Sequence, residues 1–385
     1  MGKTITKGKS SFLDTLLFSV FILFLVIIFV RSSSIQLHSC STFMLNKGNH
    51  RIVGHNLDSG KHKPGLVIIN KRGVQKSSMS WQELAYGKKI PNPSIDWVSK
   101  FGSITFAKYR DFPDGGVNEE GLFIVEMSLV GTKFPVDKKK PAIFMMLWMQ
   151  YALDNFSSVD QVIKSAHNFS IDGWSWHFFT ADRTGNTAAI EFIDGEIVIH
   201  SGKDMPYPVL ENSTYKKEIN RLKEYKGFGG EKLIDLKDKK MPTFVCGAKM
   251  LSEYDSAKSN GVEYGFSILD VFSWSGTQWS YICDLKDNKV YFKTKKSAKI
   301  KTIDLNKTDF SCSTPVKMLS IHTDVDGSVD NLMKTYSYEF NSSYIRKNFV
   351  AGNYEPVFKR FGSTLDDAVK RFADYSENTK CTEVK

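Results

Sequence analysis

Two stretches constrain the architecture most. AAIEFIDGEIVIH (188–200) and WSYICDLKDNKVYFKT (279–294) each pair two β-branched or aromatic runs about a polar turn. The first turns at Asp194-Gly195 and the second at Lys286-Asp287-Asn288. Both predict antiparallel hairpins. Further short strands are predicted at 41–45, 51–54, 65–70 and 121–129, the first two joined by the turn Asn46-Lys47-Gly48-Asn49. Between them lie helical patterns. PAIFMMLWMQYALDN (141–155) opens with proline and carries a wide apolar face. Shorter helices are expected at 157–165, 215–225, 244–254, 268–274 and 365–375. Hairpins with separate helices predict an α+β layered domain of antiparallel sheets covered by helices.

The chain has 385 residues, 41% apolar and 24% charged, an ordinary globular balance. No repeat, low-complexity tract or linker follows residue 40, so residues 40–385 are read as one domain. The net charge is +10, of which +3 falls in residues 1–39. The rest is scattered in short clusters without aromatic interleaving, so no nucleic-acid groove is expected. No glycine-rich phosphate loop follows a strand and no CxxC pair occurs, so neither a nucleotide cofactor nor a metal is expected. His62, His167, His177 and His200 show no metal-ligand spacing. Glu126 and Glu191 stand as charges in apolar runs and are read as buried, hydrogen-bonded groups without an assigned role.

Three lysines precede the apolar run Leu16 to Val30, and Arg31 follows it. That pattern is a secretory signal peptide or an uncleaved membrane anchor, with a short pro-segment reaching residue 39. It places the domain outside the cytosol: secreted, lysosomal or membrane-anchored. Sequons at Asn155, Asn168, Asn212, Asn306 and Asn341 fit a glycosylated secretory protein. Cys246, Cys283, Cys312 and Cys381 would form two disulfides there, or remain buried thiols.

Cys40 opens the domain. If the preceding residues are removed, its thiol and a free α-amine share one residue. An α-amine titrates near 7.7–8.0, so it can accept the thiol proton. The thiolate then attacks a carbonyl carbon and the protonated amine returns its proton to the leaving nitrogen. From spacing alone, Cys40 reads more readily as a structural cysteine or a lipid-attachment site than as a catalytic one, Asp58 as a turn residue and His55 as a polar loop residue.

Cys40-Ser41-Thr42-Phe43, followed by Gly54-His55-Asn56-Leu57-Asp58, resembles the choloylglycine hydrolase family of linear amide C–N hydrolases. Gly116–Leu122 (GVNEEGL), Val209–Ser213 (VLENS) and Gly276–Ser280 (GTQWS) resemble further family motifs in order. The resemblance implies an N-terminal-nucleophile αββα sandwich, two antiparallel sheets between helical layers. It implies an exported, self-maturing amidase acting through a thioester on a small N-acyl amide with an apolar acyl part. Carried over, Cys40 is the nucleophile, Asp58 orients its amine or thiol, and Asn212 points its amide at the oxyanion. His55, Asn56 and Ser128 are possible supporting residues. Three positions depart from the family: His55 and Thr243 stand where it often has arginine, and Ser128 where bile-salt hydrolases use asparagine. The backbone N–H of Glu126 or Met127 is the substitute donor. These losses leave a second reading, a catalytically silent binding protein of the same fold, and a third, a lipoprotein tethered through Cys40. The oligomeric state is left open.

Overall fold

A computed structural model describes residues 40–382. Most of its strands assemble in two large sheets, beside a two-stranded and a three-stranded one. In chain order they are β1 (Ser41–Lys47), β2 (His50–Asp58), β3 (Leu66–Asn70), β4 (Ser103–Tyr109), β5 (Phe112–Asn118) and β6 (Phe123–Ser128). Then come β7 (Trp176–Ala181), β8 (Thr187–Ile193), β9 (Glu196–Ser201), β10 (Val209–Glu211) and β11 (Thr277–Asp284). The last are β12 (Lys289–Thr294), β13 (Ser297–Asp304), β14 (Lys317–Ser320), β15 (Gly327–Ser328) and β16 (Lys334–Thr335). The first sheet has seven strands in the order β10-β1-β2-β11-β12-β13-β15, antiparallel except at β13–β15. The second has nine, in the order β9-β8-β7-β6-β5-β4-β3-β14-β16, all antiparallel.

The helices are α1 (Trp81–Tyr86), α2 (Met145–Asn155), α3 (Val159–Ala166), α4 (Tyr215–Leu222) and α5 (Thr243–Glu253), then α6 (Gly261–Phe272), α7 (Tyr338–Ala351), α8 (Glu355–Arg360) and α9 (Leu365–Glu377). The two sheets meet face to face. Tyr281 of β11 stacks on Phe106 of β4 at 3.9 Å between ring centroids, and Phe292 meets Phe106 edge-on at 5.6 Å. Helices cover both outer faces. Phe272 of α6 packs on Phe43 of β1, while Trp148 of α2 and Phe372 of α9 pack on Phe178 and Phe112 of the second sheet. The αββα sandwich is therefore the observed architecture.

Both predicted hairpins form, as β8–β9 and β11–β12. Asp194 and Gly195 both take positive φ, 55° and 84°, the conformation a two-residue hairpin turn requires. Elsewhere the structure corrects the expectations. The apolar segment at 141–155 is not helical from its proline: Ala142–Phe144 pairs as a strand with Ser170–Asp172 before α2 begins. The helix expected at 268–274 begins at Gly261, capped by the Asn260 side chain on the N–H groups of Val262 and Glu263. α6 lies close to the sheet at its glycines. A Cβ on Gly265 would stand 2.9 Å from Cδ1 of Ile282.

Cysteine pairing also differs from a two-bridge framework. Cys312 and Cys381 are bonded, whereas Cys246 and Cys283 are buried free thiols. Cys283 sits within β11 and Cys246 within α5, on different elements. The bridge spans 69 residues and ties the C-terminal strand Lys380–Cys381 beside Val74–Ser77. Loop-closure entropy gives such a bridge about 4 kcal/mol. Among the described residues no helix is long and apolar enough to cross a membrane; the segment Leu16 to Val30 lies outside them.

The packing of β1 and β2 against α6 depends on Gly54. A Cβ there would meet the Phe43 ring at 2.3 Å and Ile282 Cδ1 at 2.9 Å. Gly54→Ala is expected to destabilise the domain by about 1–3 kcal/mol through overpacking, read as a lower midpoint in urea with unchanged slope.

Candidate active site

Strand register brings the site together. Ser41 is paired with Glu211 of β10 and with Asn56 of β2, and Thr277 of β11 is paired with Asp58. The residues just beyond these pairs, Cys40 and Asn212, therefore end side by side with Asp58 and Thr277 at one end of the first sheet. A register irregularity in β11 between Thr277 and Trp279 shapes this end. The Asp58 backbone N–H donates to Cys40 Sγ at 3.4 Å, and the thiol lies 3.9 Å from the Asp58 carbonyl oxygen. It is thus the main chain of Asp58 that holds the sulfur. The Asp58 carboxyl oxygens are enclosed, with the Thr277 hydroxyl and the Trp274 indole as the nearby groups that favour its charged form. Burial pushes that carboxyl up to about 6, against the lowering effect of those two donors.

Cys40 is buried, at 8% exposure. Burial raises its thiol well above the ordinary range, and the carboxyl groups of Glu126, Asp58 and Asp114 raise it further. Only the Asp58 backbone N–H opposes them.

Asn212 follows β10 directly, half-buried, with its Oδ1 enclosed and without a hydrogen-bond partner. The turn it occupies is anchored from the second sheet. Glu191 on β8 accepts the backbone N–H of Tyr215, at the start of α4, at 2.8 Å. His177 Nδ1 and His200 Nε2 converge on the same carboxylate at 3.3 and 3.5 Å. Burial alone would raise Glu191, but bonds from His177 and His200 bring it down to about 2. Two histidines read as unremarkable in the sequence thus belong to one buried cluster. They stand on separate strands, β7 and β9, flanking β8, so only sheet order reveals it.

The supporting residues fare unevenly. His55 faces the space between the sheets, its ring 5.3 Å from Tyr281. Burial lowers it to about 3, so it is neutral at physiological pH and does not replace an arginine's charge. Asn56 points the other way, its Nδ2 donating to the Leu269 carbonyl of α6 at 2.9 Å, and supports the helix rather than the site. Ser128 is exposed at the end of β6, opposite Trp176. β6 pairs with β7 through Ser128 but with β5 only through Val125. The β5-facing backbone of residues 126–128 is thereby left without a strand partner, which keeps Glu126 or Met127 available as a main-chain donor. Thr243 opens α5 and is half-buried.

Sequence reading missed a charged cluster within electrostatic reach of Cys40. Lys108 Nζ bonds Asp114 Oδ1 at 2.8 Å and sits over the rings of Trp176 and Trp174 at 5.1 and 5.7 Å. Asp114 and Glu126 hold Lys108 protonated despite its burial. Glu126 is pushed up to about 8 by burial and by Asp114, with Lys108 and Lys63 opposing. The signal was present: Lys108 interrupts SITFAKY, and Asp114 interrupts FPDGGVN, two strands that are otherwise almost free of charge. Among the described residues no group of three or more His, Cys, Asp or Glu could hold a metal ion.

This arrangement has relatives. The family model for linear amide C–N hydrolases, choloylglycine hydrolase family, matches residues 40–252. The penicillin V acylase of Pectobacterium atrosepticum is 27% identical over 277 residues, 60% of this chain and 73% of its own length. The structure of penicillin V acylase from Agrobacterium tumefaciens superposes with a TM-score of 0.65 at 23% identity, covering 77% of this chain and 98% of the other. A variant of the conjugated bile acid hydrolase from Clostridium perfringens gives 0.59 at 17% identity, covering 74% and 98%. Because the family model matches residues 40–252, more than half of its length, the chain belongs to the choloylglycine hydrolase family of linear amide C–N hydrolases.

Proposed function

We propose that the chain hydrolyses the amide bond of small N-acyl compounds, with Cys40 as an N-terminal nucleophile after removal of the residues before it. One observation carries this reading: the family match starts at residue 40, the residue that the register seats between Asp58 and Asn212 at the end of β1. The α-amine of a processed Cys40 takes the thiol proton. The thiolate bonds to the carbonyl carbon, and the oxyanion is met by the Asn212 amide and a main-chain N–H of β6. The C–N bond breaks as the ammonium returns its proton to the leaving nitrogen. Water, losing a proton to the same amine, then cleaves the thioester, releasing the acid and restoring the thiol. Asp58 orients Cys40 by its backbone, and its ionised carboxylate stabilises the ammonium. An apolar acyl group would suit the aromatic cluster of Trp174, Trp176 and Tyr354, in which Trp174 lies 5.0 Å from Trp176 and 5.6 Å from Tyr354 between ring centroids.

An oxidising, extracytosolic location is supported by the Cys312–Cys381 bridge and the basic, apolar N-terminal pattern. The sequons are unequal in this respect. Asn341 is fully buried and its Oδ1 accepts the Arg110 N–H at 2.9 Å, whereas Asn168 and Asn306 are exposed. Glycans are therefore assigned to the latter two positions and not to Asn341.

Penicillin V and a glycine-conjugated bile acid serve as first probes, beside N-acyl amides of graded chain length. Wild type is expected to turn over at least one, and Cys40→Ala none. Because Asp58 is ionised only above about 6, kcat/KM is expected to fall as pH drops through 6. Asp58→Asn should lower kcat about 10²-fold or more and flatten that acid limb. A chain inactive on every probe, with wild type and Cys40→Ala indistinguishable, favours the silent binding protein. A separate test addresses the Asn212 turn. Glu191→Gln is expected to cost about 1–3 kcal/mol at pH 7. The Glu191 contribution is present above the ordinary carboxylate range and lost as pH falls towards about 2, so the gap between wild type and variant should close in melts near pH 2–3.

A further inference from the structure

Outside the nucleophile's surroundings, a cavity of about 480 Å³ is lined by His62, His322, Lys296, Lys347, Ser320 and Tyr344, with apolar residues completing its wall. No acidic side chain lines it. Its basic groups come from four separate places: the loop after β2, the segment after β14, the β12–β13 turn and helix α7. The rings of His62 and His322 stand 4.8 Å apart, and Lys296 Nζ lies 3.2 Å from His62 Nε2. His322 Nε2 donates to the Lys63 carbonyl at 2.9 Å, which leaves Nδ1 as the free ring atom; it is enclosed and without a partner. Among the described residues neither Lys296 nor Lys347 forms an ion pair with a carboxylate. Asp324, two residues past His322, is taken by Lys299 at 3.1 Å and Ser297 at 2.7 Å.

Four basic side chains converging on one cavity without a counter-charge repel each other, and an anion relieves that repulsion. The cavity shares a loop with the nucleophile's partner Asp58: three residues lie between Asp58 and His62, so their Cα atoms are at most about 14 Å apart. Gln278 folds the loop back further: its Nε2 donates to the Ser59 carbonyl at 2.9 Å, and its Oε1 accepts the Lys63 N–H at 3.3 Å.

We propose that this cavity is an oxyanion-binding site, taking a carboxylate, sulfonate or phosphate between Lys296, Lys347 and the imidazoles of His62 and His322. A bound anion donates nothing; it accepts hydrogen bonds from both ammonium groups and from imidazole N–H. It therefore favours the imidazolium forms. In the free protein His62 is lowered by burial and by Lys296, with a Gln278 bond opposing. His322 is lowered by burial and by His62, Lys296 and Lys301, with the Lys63 carbonyl opposing. Anion binding is thus linked to proton uptake and tightens as pH falls through the ordinary imidazole range.

Calorimetric titration of the full chain with sodium sulfate at pH 6 and pH 8 tests the site. Wild type is expected to bind more tightly at pH 6 and to raise the titration midpoints of His62 and His322 by NMR. The double variant Lys296→Ala/Lys347→Ala should weaken binding about tenfold or more, and the control Lys334→Ala, at an exposed lysine outside the cavity, should not. Equal, pH-independent heats in wild type and double variant, with unmoved histidine midpoints, overturn the proposal. The source of the anion is read with two N-acyl amides that differ only in a carboxylate or carboxamide on the amine portion. If the substrate carries the anion, sulfate competes and the double variant raises KM for the carboxylate alone. If a separate anion occupies the site, sulfate alters both substrates alike without competing. The calorimetric result stands whether or not the chain proves to be an amidase, so the two readings fail separately.

Discussion

A buried thiol among carboxyl groups cannot ionise unaided. Cys40 is held by the main chain of Asp58, and Glu126, Asp58 and Asp114 all disfavour its thiolate. No imidazolium offsets this, because His55 is kept neutral by its own burial. The nearby ammonium group of Lys108 is already committed to Asp114. In the mechanism proposed here the base is the cysteine's own α-amine, one bond from its Cα, once the residues before it are removed. That mechanism ties chemistry to processing: the sheet builds the site, and removal of the residues before Cys40 would complete it.

The rest of the structure serves that end of the first sheet. β1 is paired on both edges, by β10 and β2, so Cys40 cannot shift without disturbing Glu211 and Asn56 together. The Glu191 cluster fixes the turn carrying Asn212 from the opposite sheet. Phe106 stacked on Tyr281 joins the sheets a few residues from the nucleophile. The positive charge of this region is carried by lysines: Lys108 and Lys63 within the cluster, and Lys296 and Lys347 at the cavity beside His62 and His322. Lysine is a point charge rather than a planar fork, so geometric selection of a substrate's anionic group would be looser.

Much of this was legible in the residues. The hairpins at Asp194-Gly195 and Lys286–Asn288 are local and turn-encoded, and they form where the turn chemistry places them. Cys40, Asp58 and Asn212 meet because each abuts a strand of one register-locked group, and the ordered motifs marked those strands. What escaped was non-local. The convergence of His177 and His200 on Glu191 needs the order of β7, β8 and β9. The orientation of Asn56 away from the site follows from strand parity relative to a helix that begins at Gly261, seven residues before the expected start, and packs closely on the sheet at Gly265. The charged trio Lys108, Asp114 and Glu126 spans three strands, and burial, rather than spacing, gives it meaning.

In the proposed mechanism a free amine on Cys40 makes the buried thiol reactive. Intact mass and N-terminal sequencing of protein recovered from its native compartment, beside Cys40→Ala, test it most directly. A wild-type chain beginning at Cys40, with Cys40→Ala retaining the residues before it, is the result expected of a self-matured nucleophile. A functional wild-type chain that still carries residues before Cys40 would contradict the account, because the peptide bond at Cys40 would leave the thiol no base.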